Sequence, residues 1–275
     1  MAETWPVRNA SCPAPHNRPV LNPCAMARKK RTASKGILSV DIGGTKVKIL
    51  ATGETEARKL LSGPALQPAK MVEQVRKLAA DWKYDRVSIG YPGLVGVNGP
   101  LAEPGNLGPG WVGFDYAAAF ECPVRIANDA AMQALGSYDG GRMLFIGLGT
   151  GVGSSLIVEN VVVTLELGDL GYGARTVSER LGRASLEKIG KKRWRSLVFD
   201  AVPYLQKAFL AEYVVLGGGN SKYLGKVLPP GVRLGNNLTA FRGGFRLWGI
   251  DQVATLQANG ADTAEHGSAD NWRLL

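Results

Sequence analysis

Residues 41–46 read Asp-Ile-Gly-Gly-Thr-Lys. A short apolar stretch at 37–41 leads into them, and an alternating stretch at 46–51 follows. This pattern predicts two strands joined by a tight Gly-Gly turn. An ordinary β-hairpin satisfies the pattern, and so does a hairpin whose turn binds a ligand.

The residue types in this turn suit a phosphate group. Gly43 and Gly44 carry no side chain, so their backbone N–H groups can approach a phosphate closely. Thr45 adds a hydroxyl donor, Lys46 adds positive charge if it faces the site, and Asp41 is placed to hold a metal-bound water. Taken alone, the turn leaves the plain hairpin and the phosphate site equally open.

Two further glycine-rich turns follow strands. Gly-Leu-Gly-Thr-Gly-Val-Gly-Ser-Ser at 147–155 comes after an apolar strand at 143–148. It lacks the Gly-Lys-Ser/Thr of a P-loop, and the strand predicted after it, at 154–158, argues against a dinucleotide fingerprint. Gly-Gly-Gly-Asn at 217–220 follows a strand at 213–216 and precedes a stretch that can begin a helix, whose N-terminus favours an anion. Three such turns favour a phosphate-binding cleft over chance.

The alternation of strands and helices occurs twice, and each half begins with a strand, a glycine turn and a second strand. This duplication predicts two α/β lobes with a cleft between them. Further strands are predicted at 86–90 and 124–127, and helices at 68–82, 130–135, 181–210 and 238–248. Pro203 is expected to kink or split its helix, because a proline there removes a donor and clashes one turn back.

Asn128 and Asp129 lie at the junction between a predicted strand and a predicted helix. A carboxylate at a helix N-terminus is stabilised by the helix dipole. Asn and Asp are also common helix N-caps. From these residues alone, a structural cap is favoured over a catalytic role.

Composition narrows the class of protein. Of 275 residues, 45% are hydrophobic, which allows a full core, and the net charge of +10 favours anionic partners without choosing among them. A solvated basic surface is the alternative. The three cysteines form no CxxC pair, so a cysteine-based zinc site or a disulfide framework is not expected. No apolar run reaches the length of a membrane span.

The order of these motifs resembles that of the ROK (repressor, open reading frame, kinase) sugar kinases, and among them the bacterial polyphosphate glucokinases and glucomannokinases. The matching stretches are DIGGTK at 41–46, GYPGLV at 90–95, NLGPGWVGFD at 106–115, NDA at 128–130, GLGTGVGSSL at 147–156, ELG at 166–168 and VVLGGGN at 214–220. GKKRWR at 190–195 and FRGGFRLW at 241–248 point to the polyphosphate branch, as does the absence of a Cys-rich zinc motif. The resemblance covers residues 36–249.

The resemblance implies an α/β fold of the two-lobed actin-like ATPase (ribonuclease-H-like) type with a central cleft. The smaller lobe would comprise 37–127, with a closing helix at 236–249 packing back on it, and the larger lobe 128–235. Polar, poorly periodic sequence predicts flexible tails at 1–36 and 250–275.

The resemblance also implies phosphoryl transfer, with Mg²⁺, from polyphosphate, ATP or both to the 6-hydroxyl of glucose or a related hexose such as mannose. Asp129 would be the catalytic base. The sugar would be bound by Gly93, Asn106, Asn128, Asp129, Glu166 and Asp169. The donor would contact Asp41, Gly43, Gly44, Thr45, Lys46, Gly149, Thr150 and Gly151, with Gly217, Gly218 and Gly219 near an adenosine. A polyphosphate track would use Lys191, Lys192, Arg193 and Arg195, unless this run is a solvated helix face.

The chain departs from the family pattern after Glu166, where Glu-x-Gly-His is usual and Glu166-Leu167-Gly168-Asp169 stands here. An ionised Asp169 only accepts hydrogen bonds. It would also bring another carboxylate near Asp129, and like charges raise one another's pKa. Losing one sugar hydrogen bond would cost on the order of 1–3 kcal/mol, which would weaken binding or change the preferred epimer.

Two other functions are weighed against the enzyme. A kinase-derived sugar-binding or regulatory protein would have catalysis weakened by Asp169, but the phosphate turns and Asp129 argue against it. A ROK repressor would need a helix-turn-helix, for which residues 1–36 are too short and too rich in proline and polar residues. We therefore expect a cytoplasmic homodimer that binds a hexose and a polyanionic donor, and neither nucleic acid nor membrane.

Overall fold

The computed structural model describes residues 36–236, 238–249 and 272–274. The tail predicted at 1–36 lies outside the described residues except for Gly36. The tail predicted at 250–275 lies outside them except for 272–274, where Arg273–Leu274 forms a short strand that the sequence did not predict.

Five strands form the first sheet, in the spatial order β3-β2-β1-β4-β7. The strands are β1 (Ile37–Ile42), β2 (Lys46–Ala51), β3 (Arg58–Leu61), β4 (Arg86–Tyr91) and β7 (Val124–Asn128). A separate two-stranded hairpin, β5 (Val95–Gly96) and β6 (Gly99–Pro100), follows β4.

Six strands form the second sheet, in the order β14-β13-β8-β9-β10-β15. The strands are β8 (Arg142–Leu148), β9 (Val152–Val158), β10 (Val161–Leu165), β13 (Tyr213–Gly217), β14 (Val232–Leu234) and β15 (Arg273–Leu274). A second small hairpin pairs β11 (Gly171–Tyr172) with β12 (Arg175–Thr176).

The two sheets share one topology. In each, the first strand pairs antiparallel with the second, and the second with the third. In each, the first strand also pairs parallel with the fourth, and the fourth with the fifth. The duplication inferred from the glycine turns is therefore present, and the predicted two-lobed α/β fold is confirmed.

Seven helices of the described residues cover these sheets. They are α1 (Pro68–Leu78), α2 (Tyr116–Phe120), α3 (Asp129–Ser137), α4 (Val177–Leu181), α5 (Arg183–Ile189), α6 (Lys191–Ala208) and α7 (Thr239–Arg246). Helices α1 and α2 bury their apolar faces on the first sheet, and α4, α5 and α6 bury theirs on the second. None of them combines the length and apolar character that crossing a bilayer requires.

The helix predicted at 181–210 is broken at different positions from those expected. The interruptions fall at Gly182 and Gly190, and α6 continues through Pro203. Of the two effects predicted for Pro203, a kink or a split, the split is therefore wrong. Trp194 and Val202 of α6 are buried in the second lobe. Burial of this face compensates for the hydrogen bond that Pro203, on the exposed face, cannot donate.

Helices α3 and α7 cross at glycines, with almost no space between their backbones. A Cβ atom added to Gly136 of α3 would lie 1.8 Å from the carbonyl oxygen of Thr239, and one added to Gly243 of α7 would lie 1.8 Å from that of Met132. Arg246 of α7 is buried and donates to the Leu135 carbonyl oxygen at 2.7 Å. These contacts join α7 to α3 along its length.

We expect Gly136→Ala and Gly243→Ala each to lower the free energy of unfolding by roughly 3 kcal/mol, because a methyl group at either position meets a backbone carbonyl. The loss would occur although alanine otherwise favours a helix by about 1 kcal/mol. Urea denaturation measures both effects. Gly171→Ala is the control, since a Cβ there meets nothing within 4 Å. Wild-type stability in either helix variant would contradict the crossing.

Candidate active site

Three parallel strands of the first sheet bring separate motifs to one edge. In the register of β1, β4 and β7, Asp41 pairs with Gly90, and Tyr91 pairs with Asn128. Because the carboxyl ends of parallel strands lie together, Asp41, the turn after Tyr91 and the Asn128–Asp129 junction form a row.

Asn128 and Asp129 divide two roles between them. Asn128 is the N-cap of α3: its Oδ1 accepts from the backbone N–H groups of Ala130 at 2.9 Å and Ala131 at 3.1 Å. Its Nδ2 donates to the Gly93 carbonyl oxygen at 3.1 Å, which links the cap to the turn that follows β4. The cap expected from the residue types is therefore Asn128, and Asp129, the first residue of the helix, is placed for another role.

The start of α3 lies between two glycines, one from each sheet. A Cβ atom on Gly153 of β9 would lie 2.9 Å from Cβ of Ala130. A Cβ atom on Gly90 of β4 would lie 2.5 Å from Cε of Met132 and 3.6 Å from Cα of Asp129. The absence of a side chain at Gly153 lets α3 begin this close to β9, and at Gly90 it leaves room for the end of the Met132 side chain. Asp129 is thereby held at the junction of the lobes.

The environment of Asp129 raises its pKa to about 7. Burial of the carboxylate is the main cause, and the negative charges of Asp41 and then Glu166 act in the same direction. A hydrogen bond from the Ala130 N–H to Asp129 Oδ1, at 2.8 Å, opposes them. A carboxyl with a pKa near neutrality can both accept and release a proton in this range.

Asp41 is largely buried, and it lies beside a lysine that the sequence did not single out. Its Oδ2 lies 3.5 Å from Nζ of Lys48, which stands opposite it in the β1–β2 register. Burial nevertheless raises the pKa of Asp41, and Lys48 only partly offsets this. Lys48 could have been found from the sequence, because a hairpin closed by the Gly-Gly turn places it opposite Asp41. Lys46, predicted to add positive charge to the phosphate turn, is exposed at the start of β2.

Glu166 and Asp169 lie on the second lobe, just after β10. The buried Ser154 hydroxyl accepts from the N–H of Leu167 at 3.1 Å and donates to the Leu165 carbonyl oxygen at 2.8 Å, which fixes the backbone around Glu166. Burial, and then the nearby Asp169 carboxylate, raise the pKa of Glu166. Within the described part of the chain, neither carboxylate forms an ion pair.

Each of the two main glycine turns is closed by a hydrogen bond from the N–H of its first glycine. The Gly43 N–H donates to the Lys46 carbonyl oxygen, and the Gly149 N–H donates to that of Gly151, both at 3.0 Å. In each turn, the next two N–H groups have no acceptor among the described residues. Those exposed N–H groups, of 44–45 and 150–151, are the ones that a phosphate oxygen can accept from.

Asn106 lies next to the first of these turns. A Cβ atom on Gly44 would lie 3.2 Å from Cβ of Asn106. The Asn106 loop is held by Glu103, whose carboxylate accepts from the N–H of Trp111 at 3.1 Å and of Val112 at 3.2 Å. The predicted sugar ligand and the predicted phosphate turn are therefore adjacent.

The third glycine turn packs directly on the second. A Cβ atom on Gly218 would lie 2.5 Å from the Leu148 carbonyl oxygen, and Gly218 has a φ of +79°, so only glycine fits. Asn220 Nδ2 donates to the Gly149 carbonyl oxygen at 2.8 Å. A single 3₁₀ turn, Ser221–Tyr223, follows, where the sequence had suggested the start of a longer helix.

A cavity of about 530 Å³ opens beside this turn. It is lined by Arg183, Leu186, Glu187, Gly190, Lys191, Gly219, Asn220, Lys222 and Tyr223. Of the predicted polyphosphate track, Lys191 lines the cavity. Lys192, Arg193 and Arg195 are exposed near the start of α6, and Trp194 between them is buried. Arg183, Lys222 and Tyr223 were not predicted as site residues, because they come from separate elements and match no motif.

The model of the ROK family matches residues 37–172 of this chain. Over these residues the chain belongs to the ROK family. The matched range contains the first sheet, the Asn128–Asp129 junction, the turn at 149–151 and Glu166. The ROK resemblance drawn from the motifs is thus confirmed.

Two kinds of relative accompany this match. N-acetylmannosamine kinase of Haemophilus influenzae is 29% identical over 162 residues, which cover 53% of each protein. The chain thus spans about half the length of the curated relatives it matches. Among solved structures, the inorganic polyphosphate/ATP-glucomannokinase of Arthrobacter sp. strain KM has a TM-score of 0.65 at 22% identity, covering 76% of this chain and 96% of that one.

The same fold also serves a regulator. A ROK family transcriptional regulator, a homologue of the E. coli MLC protein, has a TM-score of 0.56 at 15% identity, with 76% of each chain covered. At these identities the structural likeness establishes the ROK actin-like fold alone. Function must be argued from the site itself.

We expect Asp129→Asn to stabilise the protein at pH 8. The folded-state pKa of about 7 lies above the ordinary value of 3.8, so the wild-type stability falls as the pH rises between these values. Asparagine is neutral throughout, and the gain at pH 8 should be on the order of 2 kcal/mol. Thermal melting of both proteins measures it, and the difference should shrink towards pH 4. Equal melting temperatures at pH 8 would contradict the raised pKa.

Proposed function

We propose that this ROK chain is a hexokinase-type phosphotransferase. It transfers a terminal phosphoryl group from inorganic polyphosphate, ATP or both to the 6-hydroxyl of glucose or a related hexose such as mannose. The observation that carries this proposal is Asp129. Its carboxyl has a pKa of about 7, and it lies at the junction of two lobes that each present a glycine turn with unpaired N–H groups among the described residues.

Asp129 acts as the general base. As the sugar hydroxyl attacks the terminal phosphorus, its O–H bond breaks and the proton passes to the Asp129 carboxylate. The bond from that phosphorus to the bridging oxygen of the donor breaks at the same time, and the donor, shortened by one phosphate, leaves with the electron pair of that bond. A base whose pKa is near the working pH combines a large deprotonated fraction with a strong tendency to accept the proton. Such a base typically contributes about 10²–10⁴-fold to the rate.

The glycine turns account for most of the remaining catalysis. Phosphoryl transfer depends chiefly on alignment and on stabilising charge on the phosphate oxygens. The N–H groups of 44–45 and 150–151 supply fixed donors from the two lobes. Gly218 and Asn220 hold the second turn in place.

A magnesium ion could be shared between a carboxylate of this site and the phosphates of the donor. Mg²⁺ usually binds through one or two carboxylates together with substrate phosphates, rather than in an all-protein cage. No group of three His, Cys, Asp or Glu residues in the described ranges could hold a metal by itself. Asp41 would hold the ion, directly or through a bound water, and the ion would neutralise charge on the donor phosphates.

The sugar would lie between the lobes, against Gly93, Asn106 and Asn128 on one side and Glu166 and Asp169 on the other. One Nδ2 hydrogen of Asn128 is used by Gly93, and the second is available for a hydroxyl. The carboxylates accept from sugar hydroxyls. Asp169 replaces the donor and acceptor capacity of the usual histidine with an acceptor alone.

Similar proteins support the activity class. An N-acetylmannosamine kinase and a polyphosphate/ATP-glucomannokinase are among them. The alternative is a kinase-derived sugar-binding or regulatory protein with weakened catalysis, and it is favoured by Asp169 and by the regulator that shares the fold. The homodimer and cytoplasmic location expected from the sequence belong to the same proposal, and sedimentation of the purified chain tests the first.

The test of the proposal is a matrix of donors and sugars. We expect the purified protein, with Mg²⁺, to phosphorylate glucose or mannose from polyphosphate or ATP. Asp129→Asn should lower kcat by at least about 10²-fold. Asp200→Asn is the matched control, because Asp200 is an exposed carboxylate on α6. Sugar binding without turnover by any donor would favour the regulatory alternative.

The pH dependence should follow the same carboxyl. We expect kcat/KM of the wild type to rise with pH through about 7 and then level off, because Asp129 must be deprotonated to act. Asp41→Asn removes one of the charges that raise this pKa, so the midpoint should move to lower pH. A midpoint unchanged in that variant would contradict the coupling of the two residues.

Asp169→His tests the departure from the family pattern. Restoring a donor should tighten hexose binding by roughly tenfold, which is one recovered hydrogen bond. It should lower KM and leave kcat within a few-fold, because Asp129 is unchanged. An unchanged KM for both glucose and mannose would show that residue 169 does not contact the sugar.

A further inference from the structure

Two residues that line the cavity beside the third glycine turn are also hydrogen-bonded to the second phosphate turn. The backbone N–H of Arg183 donates to the Gly149 carbonyl oxygen at 3.0 Å, and Asn220 Nδ2 donates to the same atom at 2.8 Å. Both residues also line the cavity. A ligand whose terminal phosphate lies at residues 149–151 would therefore extend its other end into this space.

The charges of the cavity suit a phosphate chain. Three cations, Arg183, Lys191 and Lys222, line it against one carboxylate, Glu187. Across the described ranges, none of the three cations has an ion-pair partner. An anion with several charges would satisfy them together, and each charge-assisted contact is stronger than a neutral one.

The aromatic ring that could stack on a purine is already covered by cations. Nζ of Lys191 lies 4.8 Å from the centroid of the Tyr223 ring, and Nζ of Lys222 lies 5.0 Å from it. Both ammonium groups gain from the ring, but they repel each other. A purine would have to displace them, whereas a polyanion would neutralise their repulsion without moving them.

The start of α6 adds to the same preference. This helix of 18 residues has Gly190 as its N-cap with no capping side chain, and no acidic residue in its first turn. Its first three residues are Lys191, Lys192 and Arg193, which the positive end of the helix dipole disfavours. A bound anion would make both the dipole and the basic residues favourable.

From these observations we infer that the cavity binds the distal phosphates of an inorganic polyphosphate chain in preference to the purine of a nucleotide. This inference rests on the proposed function, in which the cavity is the donor end of the site. Arg183, Lys191 and Lys222 select the donor, and Tyr223 positions the two lysines.

The test is equilibrium binding by calorimetry, without sugar, so that it does not depend on turnover. The probes are tripolyphosphate, a longer polyphosphate, ATP and adenosine. We expect the longer polyphosphate to bind at least roughly tenfold more tightly than ATP, and adenosine not to compete with it. Affinity for polyphosphate should fall steeply with added salt, as it does when several cations bind one polyanion.

Variants locate the binding. Lys191→Ala and Lys222→Ala should each weaken polyphosphate binding by roughly tenfold, and Lys77→Ala, which removes an exposed lysine from α1 of the other lobe, should not change it. Tyr223→Leu separates the two ligands. If a purine stacks on this ring, the variant should weaken ATP binding more than polyphosphate binding; we expect no such difference.

Three outcomes would overturn the inference: competition by adenosine, tighter binding of ATP than of polyphosphate, or unchanged polyphosphate binding in both lysine variants. A distinct result would bear on the proposed function instead. Lysine-dependent polyphosphate binding by a protein that phosphorylates no hexose would reject the phosphotransfer and leave the assignment of the cavity in place.

Discussion

The close approach of helix α3 to Gly90 and Gly153 is the contact on which the candidate site depends. It places the first turn of one helix against both sheets: a Cβ atom on Gly153 would lie 2.9 Å from Cβ of Ala130, and one on Gly90 would meet the end of the Met132 side chain. The glycine crossing with α7 holds the other end of the same helix. Asp129 is therefore positioned by packing along a rigid element, and its geometry does not depend on a loop.

The electrostatics of the site follow from that position. A carboxylate held between two lobes loses water, and it shares the site with Asp41 and Glu166. Among the described residues, Lys48 beside Asp41 is the one cation that forms an ion pair with any of these three carboxylates. Ionising these carboxylates therefore costs free energy. Raised carboxyl pKa values of this kind are typical of functional sites. Across the second phosphate turn the balance is reversed, and the cavity holds unpaired cations among the described residues. The acidic end suits a neutral sugar whose proton is removed, and the basic end suits the anion that supplies the phosphoryl group.

Much of the fold could be predicted from the sequence, because strand–glycine–strand patterns are local. The β1–β2 hairpin and the strands β4, β7, β8 and β13 lie within a residue or two of their predicted bounds. Strands β3 and β14 were missed because they are short edge strands with little alternation, so their pairing depends on neighbours distant in sequence. The continuity of α6 through Pro203 could not be predicted for a related reason. The burial that stabilises this helix depends on packing against residues distant in sequence.

The candidate site was predictable where a motif is contiguous. Asn128 and Asp129 could be located from sequence, but not which of them caps the helix, because that choice depends on where the helix begins to within one residue. The pKa of Asp129 depends on Asp41 and Glu166, which lie far away along the chain. Lys222 and Tyr223 enter the site only through the packing of a 3₁₀ turn against α6. Such effects arise from tertiary proximity, which a single sequence does not contain.

The short strand β15 has a practical consequence for handling the protein. It pairs with β10 only at Val161 and Val162, so the edge of Val163–Leu165 is left without a neighbouring strand among the described residues. An apolar, β-branched edge of this kind is a template for pairing with another chain. The strand β15 thus covers two of the five residues of this edge. A change that displaces β15 would therefore lengthen the unpaired edge and favour association of chains through their sheets.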